Sequence, residues 1–400
     1  MRLATALASA LFCLSLPAAA QDANKPVRLG VMENMAGATA YLNGPGSVEA
    51  AKMAVEDFGG KVLGRPIEVL AADHQDKPAV GALIARRWFD ENGVDIILDV
   101  PTSDVALAVN RIVAEKKKLA IFVGGVTDQL VEQECTGYGL QWGLNTYADA
   151  QVVVPMIKSG SDSFFFVTSD YVFGHTLESS ARAAILKHGG KVLGSVSVPL
   201  ETTDYASFLL QAQASGAKVI ALLISGGDRL VTAFKEAREF GLSDAQHKVT
   251  SLHIYSNDVN ILGLEQTQGL QAIVAYDWDR DDASRAFAKR FQARMHAMPS
   301  ENHAGVYSAT LTYLKAVQLA GSTDTDKVRQ ALQTMKIDDF YARNSTLLAN
   351  GRLAHDMYIV QVKSPAESKY PWDYFKILAT LPGDQAFLPM TESKCPLVKH

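Results

Sequence analysis

Cysteine is scarce in this chain, three residues in 400. That is too few for a disulfide-stapled scaffold, and no Cys-x-x-Cys spacing suggests a redox motif or a zinc knuckle. An excess of positive charge is also missing: Lys plus Arg number 38 against 43 Asp plus Glu, a net charge of −5. No overall excess of positive charge exists to draw in a phosphate backbone, which argues against nucleic-acid binding. There is no low-complexity tract, no short tandem repeat and no long Pro/Ser linker, so any domains are joined by ordered crossings. What remains is 48% hydrophobic and 20% charged residues, enough apolar side chain for a substantial core and enough length for two or three domains.

The one long uncharged apolar run lies at the start. Arg2 precedes Leu3 to Leu16, followed by Pro17 and the small triplet Ala18, Ala19, Ala20. This is the pattern of a cleaved secretory signal spanning 1–20, with the cut expected between Ala20 and Gln21, and it predicts an exported, periplasmic protein. Cys13 follows the bulky Phe12, which argues against a lipid-modified cysteine. After cleavage two cysteines are left, Cys135 and Cys395. In an oxidising compartment this pair is expected to form a disulfide; two separately buried thiols are the alternative.

From residue 27 short apolar runs alternate with longer stretches of helical period. Val27–Met32, Ile67–Ala72, Asp95–Val100 and Leu119–Val123 read as strands covered on both faces. Helices are predicted between them at Ser47–Phe58, Lys77–Asn92 and Ser103–Lys117. The alternation restarts with strands at Phe164–Thr168, Lys191–Val198, Val219–Ile224 and Lys248–Tyr255, and helices at Gly174–His188, Tyr205–Ala214 and Arg229–Phe240. Two parallel sheets follow. The last third offers the strands Ala272–Tyr276, Met357–Val362 and Tyr374–Ala379 with helices at Asp282–Met298, His303–Ala320 and Thr325–Met335. That is too little alternation for a third α/β domain, so these helices are expected to return and cover the first two.

Enzyme motifs are absent: no phosphate-binding loop, no dinucleotide fingerprint, no His-Glu-x-x-His and no Gly-x-Ser-x-Gly. Gly44-Pro45-Gly46-Ser47 reads as a turn with Ser47 as the helix N-cap rather than an anion cradle. Asp73-His74-Gln75-Asp76 reads as a turn and cap for the next helix rather than a metal site. The acids Asp277, Asp279, Asp281 and Asp282 around Arg280 read as an interlobe crossing rather than a calcium loop. No cofactor and no metal are expected.

Open α/β sheets hold ligands beyond the carboxyl ends of their strands. Two such ends, Pro101-Thr102-Ser103-Asp104 and Gly124-Gly125-Val126-Thr127-Asp128, place hydroxyls and free amides in register on adjacent strands, suited to a carboxylate or another small anion. With these residues the chain resembles type 1 periplasmic binding proteins of the Leu/Ile/Val-binding branch that serves ABC importers. The resemblance is carried by Leu29-Gly30-Val31, Gly37 with Tyr41, the Thr102-Ser103 and Gly125/Thr127 loops, Asp170-Tyr171 with Phe173-Gly174, and Ala304-Gly305-Val306-Tyr307.

The resemblance implies an α/β fold of two Rossmann-like lobes with parallel sheets joined by three crossovers. One lobe would span 27–148 plus 276–350 and the other 149–275 plus 351–388, with 389–400 as a tail. It further implies that Thr102 and Ser103 hold the ligand's carboxylate and that Gly125 and Thr127 form a second clamp. Tyr41 would be an aromatic lid, Tyr171 and Phe173 aromatic walls, Gly226 and Gly227 a loop of the second lobe, and Asp258 an acid near the ligand's ammonium. The sequence departs from that pattern at Gly226-Gly227-Asp228, where an aromatic is usual, and at Ser256-Asn257-Asp258-Val259. The ligand is therefore an amino acid, an aromatic or aliphatic carboxylate, or an amide. The expected partners are that small molecule and the permease subunits of an ABC transporter, with the protein acting as a monomer and not as an enzyme. Two other readings are a ligand-presenting partner of a membrane receptor and an exported hydrolase using Ser103 or Ser225 with a histidine.

Overall fold

A computed structural model describes residues 25–158, 160, 162–242 and 248–399. The predicted signal segment 1–20, with Cys13, lies outside the described residues.

Six strands form the first sheet: β1 (Val27–Glu33), β2 (Lys61–Val62), β3 (Arg65–Asp73), β4 (Ile96–Asp99), β5 (Leu119–Phe122) and β6 (Gly139–Gln141). Their order is β2-β3-β1-β4-β5-β6, parallel except for the edge strand β2. The central strands β4 and β5 are buried at every position. This is why they read as continuous apolar runs and not as alternating ones. Helices Gly44–Phe58, Pro78–Asp90 and Ser103–Lys116 connect them.

The second system has four parallel strands, β7 (Ser163–Ser169), β8 (Lys191–Val198), β9 (Val219–Leu223) and β10 (Lys248–Ser251), in the order β10-β9-β7-β8. The predicted strand to Tyr255 stops at Ser251, and Leu252–Tyr255 forms a loop. Helices Val172–Lys187, Ala206–Ala214 and Asp228–Glu239 accompany this sheet. An antiparallel sheet of β11 (Gln271–Val274), β14 (Met357–Val362) and β15 (Phe375–Leu381) follows, while β12 (Thr346–Leu347) pairs β13 (Leu353–Ala354).

The chain therefore crosses between the two sheet systems three times: after β6, after β11 and again before β14. The long helix Glu301–Ala320 returns to pack on Gly44–Phe58. Arg290 and Arg294 of the helix Asp282–Met295 pair with Asp57, Glu49 and Glu56 on the same helix. Cys135 and Cys395 are joined across 260 residues. Beside them the buried Glu132 accepts from Asn350 Nδ2, Ser393 Oγ and the Lys394 amide, which fastens the C-terminal segment to the first lobe.

Candidate functional site

Between the two parallel sheets lies a cleft of about 530 Å³, counting its open mouth. From the first lobe it is lined by Thr39, Leu42, Asn43, Asp76, Pro101, Thr102, Ser103, Gly124, Val126 and Asn302. From the second come Tyr171, Phe173, Leu200, Ser225, Gly226, Arg229, His253 and Tyr255. Most of these sit where a strand ends and the next helix begins, as the sheet rule requires.

The loop after β4 carries unusual backbone. Asp99, Val100 and Thr102 have φ of 73°, 59° and 74°, a region that side chains, β-branched ones above all, avoid. Buried hydrogen bonds hold it there. Asp99 accepts from Ser47 Oγ at 2.7 Å and from the Gly124 amide at 2.7 Å, and the Val100 amide donates to Met32 O. Thr102 Oγ1 donates to Asp76 Oδ1 at 2.5 Å, while Asn34 Nδ2 donates to Asp76 Oδ2 at 2.6 Å. Beneath this knot burial and the neighbouring Asp99 push Glu33 well above the usual carboxylate range, and burial raises Asp99 too; Glu33 Oε2 accepts the Gly44 amide. The strained loop thus presents Ser103, first residue of a 14-residue helix, to the cleft with its hydroxyl buried and without a partner among the described residues.

Several expectations change here. Ser47 is not an N-cap: the helix starts at Gly44 with Pro45 in its first turn, and the Ser47 hydroxyl serves Asp99 instead. Asp73–Asp76 is a turn, but the helix after it has no side-chain cap, and Asp76 itself reaches the cleft. Thr127 and Gly125 lie behind the cleft wall. Thr127 Oγ1 accepts from the Gln129 amide, and a Cβ on Gly125 would stand 2.7 Å from Ala106 Cβ. Both backbone carbonyls accept from Gln141 Nε2.

On the opposite lobe Gly226 and Gly227 are there for space. A Cβ on Gly226 would meet Tyr255 Cδ2 at 2.7 Å and Asp258 Oδ2 at 2.8 Å; one on Gly227, whose φ is 98°, would meet Ala38 O at 2.4 Å. The lid segment thereby touches the second lobe, with the Asp228 amide donating to Ala38 O. Tyr41 lies outside the cleft lining, and its hydroxyl crosses the mouth to donate to Asp258 Oδ1 at 2.7 Å. Asp258, fully buried, also accepts the amides of Gly227 and Tyr255. Burial raises its pKa against the pull of those three donors. The acid is occupied by the chain and does not face the cleft.

Two walls are aromatic. Tyr171 and Phe173 stand 5.8 Å apart, and Phe173, His253 and Tyr255 continue edge to face at 5.2 and 4.8 Å. Sequence reading found Tyr171 and Phe173 but missed Tyr255, Asn302 and Arg229. Arg229 follows β9 just as Ser103 follows β4, so the equivalence of the two sheets was the available signal. It carries no ion pair among the described residues. Among the described residues neither Ser103 nor Ser225 is bonded to a histidine, and both ring nitrogens of His253 are engaged elsewhere.

A family model described as periplasmic binding protein matches residues 26–369. The chain belongs to that family. Among solved structures, a periplasmic binding protein from Burkholderia mallei is 46% identical, with a TM-score of 0.92 over 94% of this chain and 99% of that one. A branched chain amino acid ABC transporter periplasmic ligand-binding protein from Burkholderia xenovorans LB400 is 43% identical, with a TM-score of 0.83 over 93% and 100%. The Leu/Ile/Val-binding protein homolog 6 of Brucella abortus (strain 2308) is 26% identical over 55% of each chain, so the match spans about half the length of that curated relative. Members of this family bind solutes and are not enzymes, in keeping with the histidine geometry. No helix among the described residues is long and apolar enough to cross a membrane, and no group of three metal-ligating side chains occurs among them.

Proposed function

We propose that this periplasmic binding protein captures a small organic carboxylate by closing its lobes and delivers it to the permease of an ABC importer. The observation that carries the ligand class is a buried hydroxyl on one wall of the cleft, Ser103 Oγ, without a partner among the described residues, facing a second wall where the Ser225 hydroxyl meets Tyr171. Arg229 beside them is a guanidinium without an ion pair among the described residues. A buried donor left unpaired costs about 1–3 kcal/mol. An anionic head bridging Ser103 on one lobe and Arg229 on the other would remove that cost and favour closure.

The aromatic walls and Leu200 favour a flat or branched apolar body behind the carboxylate. An α-ammonium is disfavoured, because Asp258 is held by Tyr41, Gly227 and Tyr255. The test is a thermal-shift and calorimetric panel on the protein from Gln21 onward, pairing acids with their α-amino counterparts, such as 3-phenylpropanoate with phenylalanine. A ligand of the folded state raises the melting temperature. Acids are expected to raise it and the amino acids to do so less; a response to amino acids alone refutes the ligand class. Co-purification of loaded protein with the cognate permease tests delivery, and capture by a receptor kinase in its place would favour the sensor reading.

A further inference from the structure

A chain of buried polar groups runs from the hinge to the cleft floor. Asp149, on the short helix Thr146–Ala150, faces His253 Nδ1 at 2.9 Å. His253 Nε2 faces the Tyr255 hydroxyl at 2.9 Å. Asn302 Nδ2 donates to the same hydroxyl at 3.3 Å and to Asn43 Oδ1 at 2.8 Å. The orientation of Asn302 is fixed from below, because Asn43 Nδ2 donates to Thr39 O and so turns its oxygen toward Asn302. The Tyr255 oxygen therefore accepts from Asn302, and what remains open is the direction of its bond with His253.

The count of lone pairs ties that direction to the charge on the ring. Burial raises the pKa of Asp149, against which the charge and hydrogen bond of His253 favour its ionised form; with Asp149 ionised, Nδ1 carries a proton in either state of the ring. If His253 is neutral, Nε2 is an acceptor and takes the Tyr255 hydroxyl proton. If His253 is charged, Nε2–H donates, both lone pairs of the Tyr255 oxygen are used, and its proton has only the cleft to turn to. The groups facing the ring are Asp149, Glu301 and Asp258 from three different helices, with the Tyr255 hydroxyl and the edge of Phe173. Burial works against a charged ring, and the hydrogen bond and charge of Asp149 outweigh it, holding the pKa above the usual histidine value. Glu301, pushed up to about 8 mainly by burial, stays largely neutral beside the pair at pH 7.

We propose that Tyr255 is a further ligand-contacting donor, and that His253, held by Asp149, is its positioning residue, so that carboxylate capture is coupled to a proton on His253. This rests on the carboxylate reading of the cleft. It makes affinity flat at low pH and falling about tenfold per pH unit once His253 loses its proton. Tyr255→Phe keeps the aromatic wall and removes only the donor.

The experiment has two arms. Long-range proton–nitrogen spectra of the histidine-labelled protein, with His253 assigned through His253→Gln, read the charge of the ring between pH 6 and 9. Calorimetry with benzoate as the probe reads affinity over the same range for the parent, Tyr255→Phe and His253→Gln. Expected are two protonated ring nitrogens at pH 6.5, a parent affinity that declines above the pKa seen in the spectra, and Tyr255→Phe binding about tenfold weaker at pH 6.5 with no such decline. A neutral His253 at pH 6.5, or a parent affinity flat to pH 9, overturns the proposal alone. If neither benzoate nor any other carboxylate raises the melting temperature, the carboxylate reading fails and this proposal falls with it.

Discussion

Ser103→Ala separates a ligand-binding hydroxyl from a structural one, because the two roles predict opposite signs. The Ser103 hydroxyl is buried and unpartnered, so the empty protein already bears its desolvation. Removing it should leave stability unchanged or raise it by up to about 1 kcal/mol, since a hydroxyl buried without a partner costs about 1–3 kcal/mol and one lost heavy atom leaves only a small gap. In the loaded protein the same hydroxyl donates to an anion, a bond of about 1.5–3 kcal/mol, so the Kd should rise about 10- to 100-fold. At a ligand concentration 100 times the parent Kd the parent gains about 2.7 kcal/mol of stability. A variant binding about 30-fold more weakly gains roughly 0.9 kcal/mol at that concentration. Denaturant melts with and without ligand read both quantities on one sample. The reasoning is refuted if Ser103→Ala destabilises the empty protein by more than about 1 kcal/mol, the ordinary scale of a lost internal hydrogen bond, or if the ligand-induced gain is unchanged.

Arg229→Gln should weaken a carboxylate at least about tenfold while leaving the empty protein's melting temperature in place; a large drop in that temperature would reveal a structural ion pair. Gly226→Ala drives a methyl group into Tyr255 and Asp258, so it should cost about 1–3 kcal/mol of stability as well as affinity, and unaltered calorimetry would show that the loop yields freely. Reduction of Cys135–Cys395 releases a loop spanning 260 residues, for which the chain-entropy relation gives an upper figure of about 5.6 kcal/mol; equal melts with and without reductant would mean the constraint is immaterial. Burial lowers His74 and His303 to about 4 and His355 to about 3. Because these folded pKa values lie below the unfolded one near 6.5, the stability they confer is complete above pH 6.5 and is lost as pH falls toward 4 and 3. A melting temperature that stays level from pH 7 to pH 4 would contradict it.

The sheets were legible because fully covered strands leave unbroken apolar runs, as in Ile96–Asp99 and Val219–Leu223, and the helices because their apolar faces recur at helical period. Thr102 and Ser103, read from a strand end, and Gly226, read from the resemblance, line the cleft. Thr127 lies outside that lining, its hydroxyl turning back to cap its own chain at Gln129. Ser47 misled for the same local reason: a serine before a helical pattern reads as a cap unless the distant Asp99 is known to claim it. Of the residues that went unread, Arg229 was reachable from its place after β9, whereas Tyr255 and Asn302 acquire their meaning only when the two lobes are apposed. Asp258 was found, but its role depended on Tyr41 being 217 residues away and in hydrogen-bond contact.

That division between satisfied and open groups also determines how such a molecule can work. Across the mouth and hinge the lobes meet through contacts the chain completes by itself: Tyr41 to Asp258, Asp228 to Ala38, Ser180 to Asp128 and the Val172 amide to Asp104. Each net contribution is on the order of 1 kcal/mol, and together they are set against the freedom of two lobes to move apart. If these contacts dominated, the empty cleft would stay shut and no ligand could enter; if they were absent, a bound ligand would have to supply the whole bias. A micromolar ligand brings about 8 kcal/mol, whereas moving a two-state equilibrium from 1:99 to 99:1 needs about 5.5 kcal/mol of differential affinity. The ligand can therefore drive closure only if a large part of its binding energy is made with the second lobe. On the proposed reading that part is made with Ser225, Arg229 and Tyr255, so substitutions there are expected to change the closed population as well as the affinity, while Ser103→Ala should lower affinity with little effect on the fraction of loaded protein that is closed.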